Sequence, residues 1–291
     1  MRTSGLRIIL KFIIYSEALM LYKTMFCKTT FKKIIAVSLA AAGIAVSSIS
    51  GTVSAEIPSD VSSLDRTSRG YGQGVEKDDK NRPVGAEMFN NDFGQYGCCA
   101  MLDEDKEIHL TFDQGYENGY TEPILDTLKE KNVKAVFFLT GDYAERNEEL
   151  VKRMIDEGHI IGNHGMKHAS LPTLSVADAE KEIMSLHEFV KEKYGYEMQY
   201  FRPPCGEYSE QSMAVCCGLG YKTLLWSFAY PDWDPKNQPD PTAAFEKVTK
   251  AAHGGAIYLL HSVSSTNAEI LPRVIDDLRA QGFELTLPNL T

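Results

Sequence analysis

The chain from Lys106 onward alternates short apolar runs with amphipathic stretches. Short apolar runs bounded by turn residues are typical of buried strands, whereas apolar positions three or four apart are typical of helices. The predicted strands are Ile108–Phe112, Ala135–Thr140, Ile160–Ile161, Tyr200–Arg202, Lys222–Ser227, Ala256–Leu260 and Phe283–Leu285. The predicted helices are Thr121–Lys131, Asn147–Glu157, Ser175–Tyr194, Glu210–Gly218, Ala243–Ala252 and Asn267–Gln281.

This alternation of strands and helices predicts an α/β fold. Consecutive strand–helix units give parallel strands joined by right-handed crossovers. Because about seven units follow one another, too many for a small open sheet, we predict a distorted (β/α)7 barrel of the TIM type that is imperfectly closed. A doubly wound open sheet is the alternative.

The N-terminal segment, residues 1–55, has the pattern of an export signal. Lys28, Lys32 and Lys33 precede an apolar run over 34–46, and small residues follow up to Val53-Ser54-Ala55. A basic region, a short apolar region and a small-residue cleavage site are typical of a secretory signal peptide. We therefore predict a secreted or cell-wall protein, with an uncleaved membrane anchor as the alternative.

The remaining chain divides at about residue 105, where the composition changes. Residues 56–105 are rich in Ser, Asp, Gly and Asn without sustained periodicity, and they are predicted to be an irregular linker. Residues 106–291 are predicted to form the catalytic domain. Residues 1–55 contain seven Lys or Arg and one Glu, so of the net charge of −10 they carry +6 and the rest carries −16. That balance argues against a nucleic-acid partner.

The five cysteines after residue 55 do not form a disulfide framework. They are Cys98, Cys99, Cys205, Cys216 and Cys217, an odd number that includes two adjacent pairs. Disulfide-stabilised domains have even numbers at regular spacings. We predict that these residues are packed or lie in loops.

Residues that can do chemistry follow the predicted strands. Asp113 and Gln114 end the first strand, and His164 and His168 follow the strand that ends at Ile161. The other strand ends carry Arg202 to Gly206, Asp232-Trp233 and His261. In a barrel enzyme the reactive side chains lie at the C-terminal ends of the strands. A carboxylate beside two imidazoles four residues apart indicates a hydrolytic metal site.

Five motifs, in this order and spacing, resemble those of the polysaccharide deacetylases (carbohydrate esterase family 4, the NodB homology domain). They are Thr111–Gly115, His164–His168, Arg202–Gly206, Asp232-Trp233 and Leu259–His261. The resemblance covers about residues 82 to 285 and implies the distorted barrel of that family. Tyr116–Thr121 and the ending Asn267 to Arg279 resemble the branch that makes muramic δ-lactam in the peptidoglycan of the spore cortex.

The resemblance implies a role for each motif residue. Asp113 is expected to be the general base that activates water, and His164 and His168 are expected to bind a divalent metal, Zn²⁺ or an ion such as Co²⁺. Arg202 would orient Asp113 and keep it ionised. The main-chain N–H of Cys205 would stabilise the oxyanion. His261 would protonate the leaving amine with Asp232 as its partner, and Trp233, Tyr116 and Leu259 are expected to contact the sugar.

Gln114 departs from the family pattern, which usually has a second acid here as a metal ligand. A neutral amide brings no charge, so metal binding should be weaker, and Gln114→Asp should tighten it. The function predicted is that of an exported, metal-dependent deacetylase acting on peptidoglycan glycan strands, with N-acetylmuramic acid as the preferred sugar. The alternatives are a glycan-binding pseudoenzyme of the same fold and a deacetylase of chitin or acetylated xylan.

Overall fold

The computed structural model describes residues 60–290, so the predicted export signal lies outside the described residues. The strands are β1 Arg69–Gly70, β2 Cys98–Cys99, β3 Glu107–Gln114, β4 Val136–Leu139, β5 Ile160–Asn163, β6 Tyr200–Phe201, β7 Glu207–Tyr208, β8 Lys222–Leu224, β9 Phe228–Ala229, β10 Ala256–His261 and β11 Glu284–Leu285. The α-helices are α1 Val84–Phe93, α2 Thr121–Glu130, α3 Gly141–Arg146, α4 Glu148–Asp156, α5 Val176–Tyr194, α6 Glu210–Gly218, α7 Pro241–Lys250 and α8 Ser265–Ala280.

The main sheet is parallel and has the order β2-β8-β6-β5-β4-β3-β10-β9, with β11 beside the start of β3. Strand β8 pairs with β6 and β9 pairs with β10, although only three residues separate β8 from β9. The segment 222–229 therefore runs from β8, the strand beside the β2 edge, to β9 at the opposite edge of the curled sheet. This confirms the predicted α/β fold with a curled parallel sheet, and it excludes the doubly wound open sheet. The handedness of the crossovers stays a prediction.

Side chains alternate between two sides of the curled sheet, as the period of a strand requires. In β4, Val136 and Phe138 belong to a small cluster with Leu224 and Ile257, which lies inside the curl. Phe137 belongs to the larger cluster between the sheet and the helices. Both faces of the sheet are buried, and this accounts for the continuously apolar strands in the sequence.

The predicted linker is more regular than its composition indicates. Residues 84–93 form helix α1, and Cys98 and Cys99 form β2, which pairs with Thr223 and Leu224 of β8. Phe89 and Phe93 are buried in the main core. The prediction of an irregular segment up to residue 105 is therefore wrong for this part, because the ten residues of α1 are too few to show a clear period.

The predicted strand Lys222–Ser227 is interrupted in the structure. Its carbonyl groups at Leu224 and Leu225 accept hydrogen bonds from the side chain of Arg202, at 3.0 and 3.1 Å. These two carbonyls turn toward the buried guanidinium, so the regular ladder ends at Leu224 and resumes as β9. Within residues 60–290, no helix combines the length and apolar character that a membrane span requires.

Candidate active site

The C-terminal ends of neighbouring parallel strands bring the predicted catalytic residues together. Asp113 of β3 stands in register with His261 of β10, the strand beside it. His164 follows β5, and Arg202 follows β6, its neighbour in the sheet. The prediction that strand ends on one side of the barrel carry the site is confirmed by this register.

Arg202 is fully buried and holds Asp113. Its Nη1 donates to Oδ1 of Asp113 and to Oγ1 of Thr111, both at 2.8 Å. The guanidinium also lies 4.1 Å from the centroid of the Phe138 ring. Burial alone would raise the pKa of Asp113, but the charge of Arg202 and the nearby imidazoles outweigh it, and the pKa lies below its usual range. Asp113 is thus a carboxylate held ready to accept a proton.

His164 and His168 form the second part of the site. Nδ1 of His164 lies 2.8 Å from the main-chain oxygen of Arg202, and since a carbonyl only accepts, this nitrogen carries the proton. Its Nε2 lies 3.5 Å from Oδ2 of Asp113. Burial lowers the pKa of His164 to about 4 and also lowers the pKa of His168. Both rings are therefore neutral at neutral pH, with centroids 4.8 Å apart.

This donor set fits a transition-metal ion such as Zn²⁺. Neutral imidazoles are the nitrogen ligands that such ions prefer, and the hydrogen bond at Nδ1 of His164 fixes the tautomer that leaves Nε2 able to bind. Asp113 adds a carboxylate oxygen close by. The two histidines are thus the residues that would hold the metal.

Gln114 does not share the cavity with these residues. It is fully buried, its Nε2 donates to Oγ of Ser262 at 2.5 Å, and its buried Oε1 accepts no hydrogen bond from residues 60–290. The side chain is absent from the cavity lining. A metal-binding role for Gln114 stays a prediction, and in this arrangement its amide is turned toward Ser262.

His261 and Asp232 form the third part of the site. Nδ1 of His261 lies 2.7 Å from Oδ1 of Asp232, and the main-chain N–H of His261 donates to Oδ2 at 2.8 Å. Burial alone would lower the pKa of His261, but the hydrogen bond and the charge of Asp232 outweigh it and raise the pKa above its usual range. His261 is therefore suited to carry a proton, whereas His164 is not.

A third residue supports this pair. Nδ2 of Asn267 donates to Oδ2 of Asp232 at 2.5 Å and to the main-chain oxygen of His261 at 3.1 Å. Its Oδ1 accepts a hydrogen bond from the hydroxyl of Tyr230. Asn267 is buried near the start of α8. The sequence offered no chemical signal for this role, because Asn267 follows the last motif and contacts it only in the folded chain.

A cavity of about 540 Å³ connects these parts. Of the predicted residues, those that line it are Asp113, His164, His168, His261, Cys205, Tyr116, Trp233 and Leu259. Arg202 and Asp232 lie behind it and act on the lining residues. Cys205 is exposed and adopts a left-handed backbone conformation, with φ of 57°. The other predicted cysteine positions are packed: Cys98, Cys99 and Cys216 are buried and Cys217 is half-buried.

Sequence reasoning missed part of the cavity wall. Trp226, Tyr230, Ala229 and Val263 also line it. Trp226 is held from behind, because its Nε1 donates to Oε1 of Gln73, which lies in the segment 56–105, at 3.0 Å. The largest exposed aromatic surfaces at the cavity are those of Trp233 and Tyr116, which are 55% and 48% exposed. Two exposed aromatic rings at a cavity of this size are suited to contact a sugar.

The barrel and its site have the parts of a hydrolase: a buried carboxylate, a neutral histidine pair that fits a metal, and a histidine–aspartate pair around one cavity. Comparisons with known proteins identify the family. The family model described as polysaccharide deacetylase matches residues 102–224. Peptidoglycan-N-acetylmuramic acid deacetylase PdaA of Bacillus subtilis (strain 168) is 46% identical over 181 residues, which are 62% of this chain and 69% of that protein.

Two further comparisons point to the same family. Peptidoglycan-N-acetylglucosamine deacetylase PgdA of Listeria monocytogenes is 36% identical over 62% of this chain and 37% of that protein. The solved structure of Bacillus subtilis PdaA, a family 4 carbohydrate esterase, superposes with a TM-score of 0.73 at 38% identity and covers 77% of this chain and 96% of that chain. The chain belongs to the polysaccharide deacetylase family, carbohydrate esterase family 4, whose members hydrolyse N-acetyl amide bonds. The predicted distorted barrel of that family is confirmed.

Proposed function

We propose that this protein is an exported, metal-dependent deacetylase that removes N-acetyl groups from the amino sugars of peptidoglycan, with N-acetylmuramic acid as its substrate. One observation carries the proposal: Asp113 and His261 face one cavity with opposite proton states. The pKa of Asp113 lies below its usual range and the pKa of His261 above it. Titrating groups whose environments separate their pKa values in this way are the signature of a base and an acid.

The base acts at the start of the reaction. Asp113 accepts a proton from the water that attacks the acetyl carbonyl, and Arg202 fixes the carboxylate through its hydrogen bond at 2.8 Å. His164 and His168 would hold the metal, which when bound supplies a Lewis acid for the water and the carbonyl oxygen. Cys205 lines the cavity, and its main-chain N–H would stabilise the developing oxyanion.

The acid acts at the end. His261 donates a proton to the amine as the carbon–nitrogen bond breaks, which leaves acetate and the free amino sugar. Asp232 stabilises the imidazolium before the transfer and keeps Nε2 directed at the cavity by binding Nδ1. Asp113 and His261 end adjacent strands in register, so the base and the acid reach one bond from neighbouring positions.

The choice of sugar rests on the relatives and on sequence resemblance. The relative that is 46% identical is named for N-acetylmuramic acid, and the segment Tyr116–Thr121 resembles the δ-lactam branch. In that branch the freed amine attacks the lactyl carboxyl group of the same sugar, so that an amide bond forms and water leaves. We propose this ring closure, in the spore cortex, as the fate of the product.

Mass spectrometry of peptide-stripped peptidoglycan glycans tests the proposal. Residues 56–291 are incubated with the glycans, with and without added Zn²⁺ or Co²⁺. We expect loss of acetyl from muramic acid that depends on metal, and loss of water where the ring closes. Asp113→Asn and His261→Ala are expected to reduce activity to near background while leaving the fold intact. Unchanged turnover in either variant would contradict the mechanism.

A second candidate function is that of a glycan-binding pseudoenzyme, and Gln114 is the observation that favours it. Its neutral amide is committed to Ser262, so the site has one carboxylate fewer for a metal than the family usually provides. The pseudoenzyme hypothesis predicts that the natural chain leaves all glycans unchanged. It also predicts that Gln114→Asp gains activity on them. If both leave peptidoglycan unchanged but act on chitin oligomers or acetylated xylan, the substrate assignment is wrong and the chemistry is right.

A further inference from the structure

Helix α5 carries a buried acid directly behind the two metal-binding candidates. Glu182 is only 7% exposed, and its Oε1 accepts hydrogen bonds from the main-chain N–H groups of Lys167, at 2.6 Å, and Ala169, at 3.2 Å. Its main-chain oxygen accepts a third bond from Met166, at 3.1 Å. The loop between His164 and Ala169 is thus bound to one residue of α5 at three points, Met166, Lys167 and Ala169.

The shape of this loop depends on the close approach of the carboxylate. Gly165 and His168 both have left-handed backbones, with φ of 84° and 57°. A Cβ atom at Gly165 would lie 2.9 Å from Oε1 of Glu182, so a side chain at this position would displace the carboxylate from its present place. His168 is not glycine, and a side chain in this conformation needs its surroundings to hold it there. The two hydrogen bonds at Lys167 and Ala169, on either side of His168, do so.

Glu182 also brings a charge that the site otherwise lacks. The carboxylate of Asp113 is paired with Arg202, and Gln114 is neutral. Through residues 60–290, the hydrogen bonds to the Glu182 carboxylate come from main-chain N–H groups, and no cationic side chain forms an ion pair with it. A buried carboxylate without a cationic partner is costly, and a cation bound close by offsets that cost.

We propose that Glu182 is a positioning residue for the metal site: it sets the conformation of His168 and supplies, from behind the ligands, negative charge that Gln114 does not. The proposal rests on the proposed function, in that His164 and His168 bind a metal. It assigns Glu182 no contact with the metal or the substrate. Groups that orient metal ligands in this way typically change metal affinity by roughly 10- to 100-fold.

Metal affinity, measured without any reaction, tests the proposal. The dissociation constant for Zn²⁺ is measured by competition with a chromophoric chelator, and the geometry is followed by the visible absorption of bound Co²⁺. Glu182→Gln keeps the size of the side chain and removes its charge. Glu180→Gln makes the same change at an exposed position of the same helix and serves as the control. We expect Glu182→Gln to weaken Zn²⁺ binding about tenfold and to change the Co²⁺ spectrum, and Glu180→Gln to change neither.

A double substitution separates charge from packing. In the Gln114→Asp background the site regains a carboxylate, so Glu182→Gln should weaken binding less than it does in the natural chain. An equal loss in both backgrounds would overturn the charge role. A dissociation constant and a spectrum unchanged in Glu182→Gln would overturn the proposal as a whole.

The remaining outcomes are also decisive. If Glu182→Gln fails to fold without metal, Glu182→Asp takes its place, since it keeps the charge but shortens the reach to Lys167 and Ala169. An altered Co²⁺ spectrum is then expected, and an unaltered one overturns the positioning role. If the natural chain itself binds no metal, or if His164→Ala and His168→Ala bind it equally well, the proposed metal-dependent function fails and this inference with it. If the natural chain binds metal at the histidines and Glu182→Gln does so equally, the inference alone fails.

Discussion

The main-chain oxygen of Arg202 accepts a hydrogen bond from Nδ1 of His164, at 2.8 Å, while the side chain of the same arginine donates to Asp113. One residue at the end of β6 therefore fixes both the tautomer of a metal-binding candidate and the direction of the general base. Arg202 is the largest fully buried side chain, and its hydrogen bonds also reach Leu224 and Leu225. The base and the metal pair are consequently held by one structural element.

Arg202→Lys should lower kcat/KM by about 100-fold, near the lower end of what a positioned general base contributes. An ammonium group is a point charge and cannot bind Asp113, Thr111 and the carbonyls of Leu224 and Leu225 at once. Arg153→Lys is the control, because Arg153 makes ion pairs on the surface helix α4. Steady-state kinetics on folded protein, checked by circular dichroism, measure the effect, and a kcat/KM equal to that of the control contradicts the role.

Asp232→Asn should move the alkaline limb of the pH–activity profile to lower pH. Asp232 raises the pKa of His261, and the general acid must be protonated to act. Removing the carboxylate charge lowers that pKa, so the fraction of His261 that carries a proton falls at a lower pH. The measurement is kcat/KM against pH, with Asp234→Asn, an exposed neighbour, as the control. A limb at the same pH in both variants would argue that another group is the acid.

Asn267→Ala should lower kcat about tenfold with little change in KM, because it removes a hydrogen bond from Asp232 and Asn267 itself does not line the cavity. Its partner Tyr230 then loses its acceptor as well. Asn237→Ala, in an exposed loop, serves as the comparison. The kinetic constants are measured separately. An effect confined to KM would show that Asn267 acts on substrate binding and not on the acid.

The metal-free protein should lose stability as the pH falls from about 6.5 to 4. Burial lowers the pKa of His159 and of His253 to about 4. The unfolded chain binds these protons near pH 6.5 and the folded chain only near pH 4, so stability rises with pH across this window. Each residue contributes roughly 2–3 kcal/mol over the window. Urea unfolding at pH 7, 5.5 and 4.5 measures the slope, and His253→Gln should reduce it. A free energy of unfolding independent of pH would refute the assignment.

The sequence predicted most of the barrel because its strands are buried on both faces. Continuous apolar runs such as Ala256–His261 and strong amphipathic helices such as Glu148–Asp156 leave little doubt about element type. Helix α1 and strand β2 were not predicted. Two cysteines carry no strand pattern, and β2 exists only because β8 lies beside it. Pairing over such a sequence distance has no local signal.

The active-site residues, like the elements of the fold, include some that the sequence could predict and some that it could not. Residues that touch the cavity from strand ends, such as Asp113 and His261, could be found from their position after an apolar run. Arg202 and Asp232, which hold them, follow from the family motifs, but two further supporting residues, Asn267 and Glu182, could not be found in this way. Asn267 and Glu182 lie inside helices, where a polar residue normally faces solvent, and their burial depends on how those helices pack on the strand ends. The sequence shows that Gln114 stands where the family usually has an acid. Its hydrogen bond to Ser262 has no signal in the sequence, because it follows from the packing of β3 against the loop after β10.

The segment that precedes the first strand–helix unit, residues 60–105, has a consequence for any shortened version of this protein. Tyr71 donates to the main-chain oxygen of Trp226 at 2.6 Å, and Gln73 accepts from the indole of Trp226, which is part of the cavity wall. A protein cut at residue 106, where the strand–helix pattern begins, would leave that tryptophan without support and uncover the core where Phe89 and Phe93 now lie. The smallest independently soluble version must therefore begin before Tyr71, and fragments that start later are expected to precipitate.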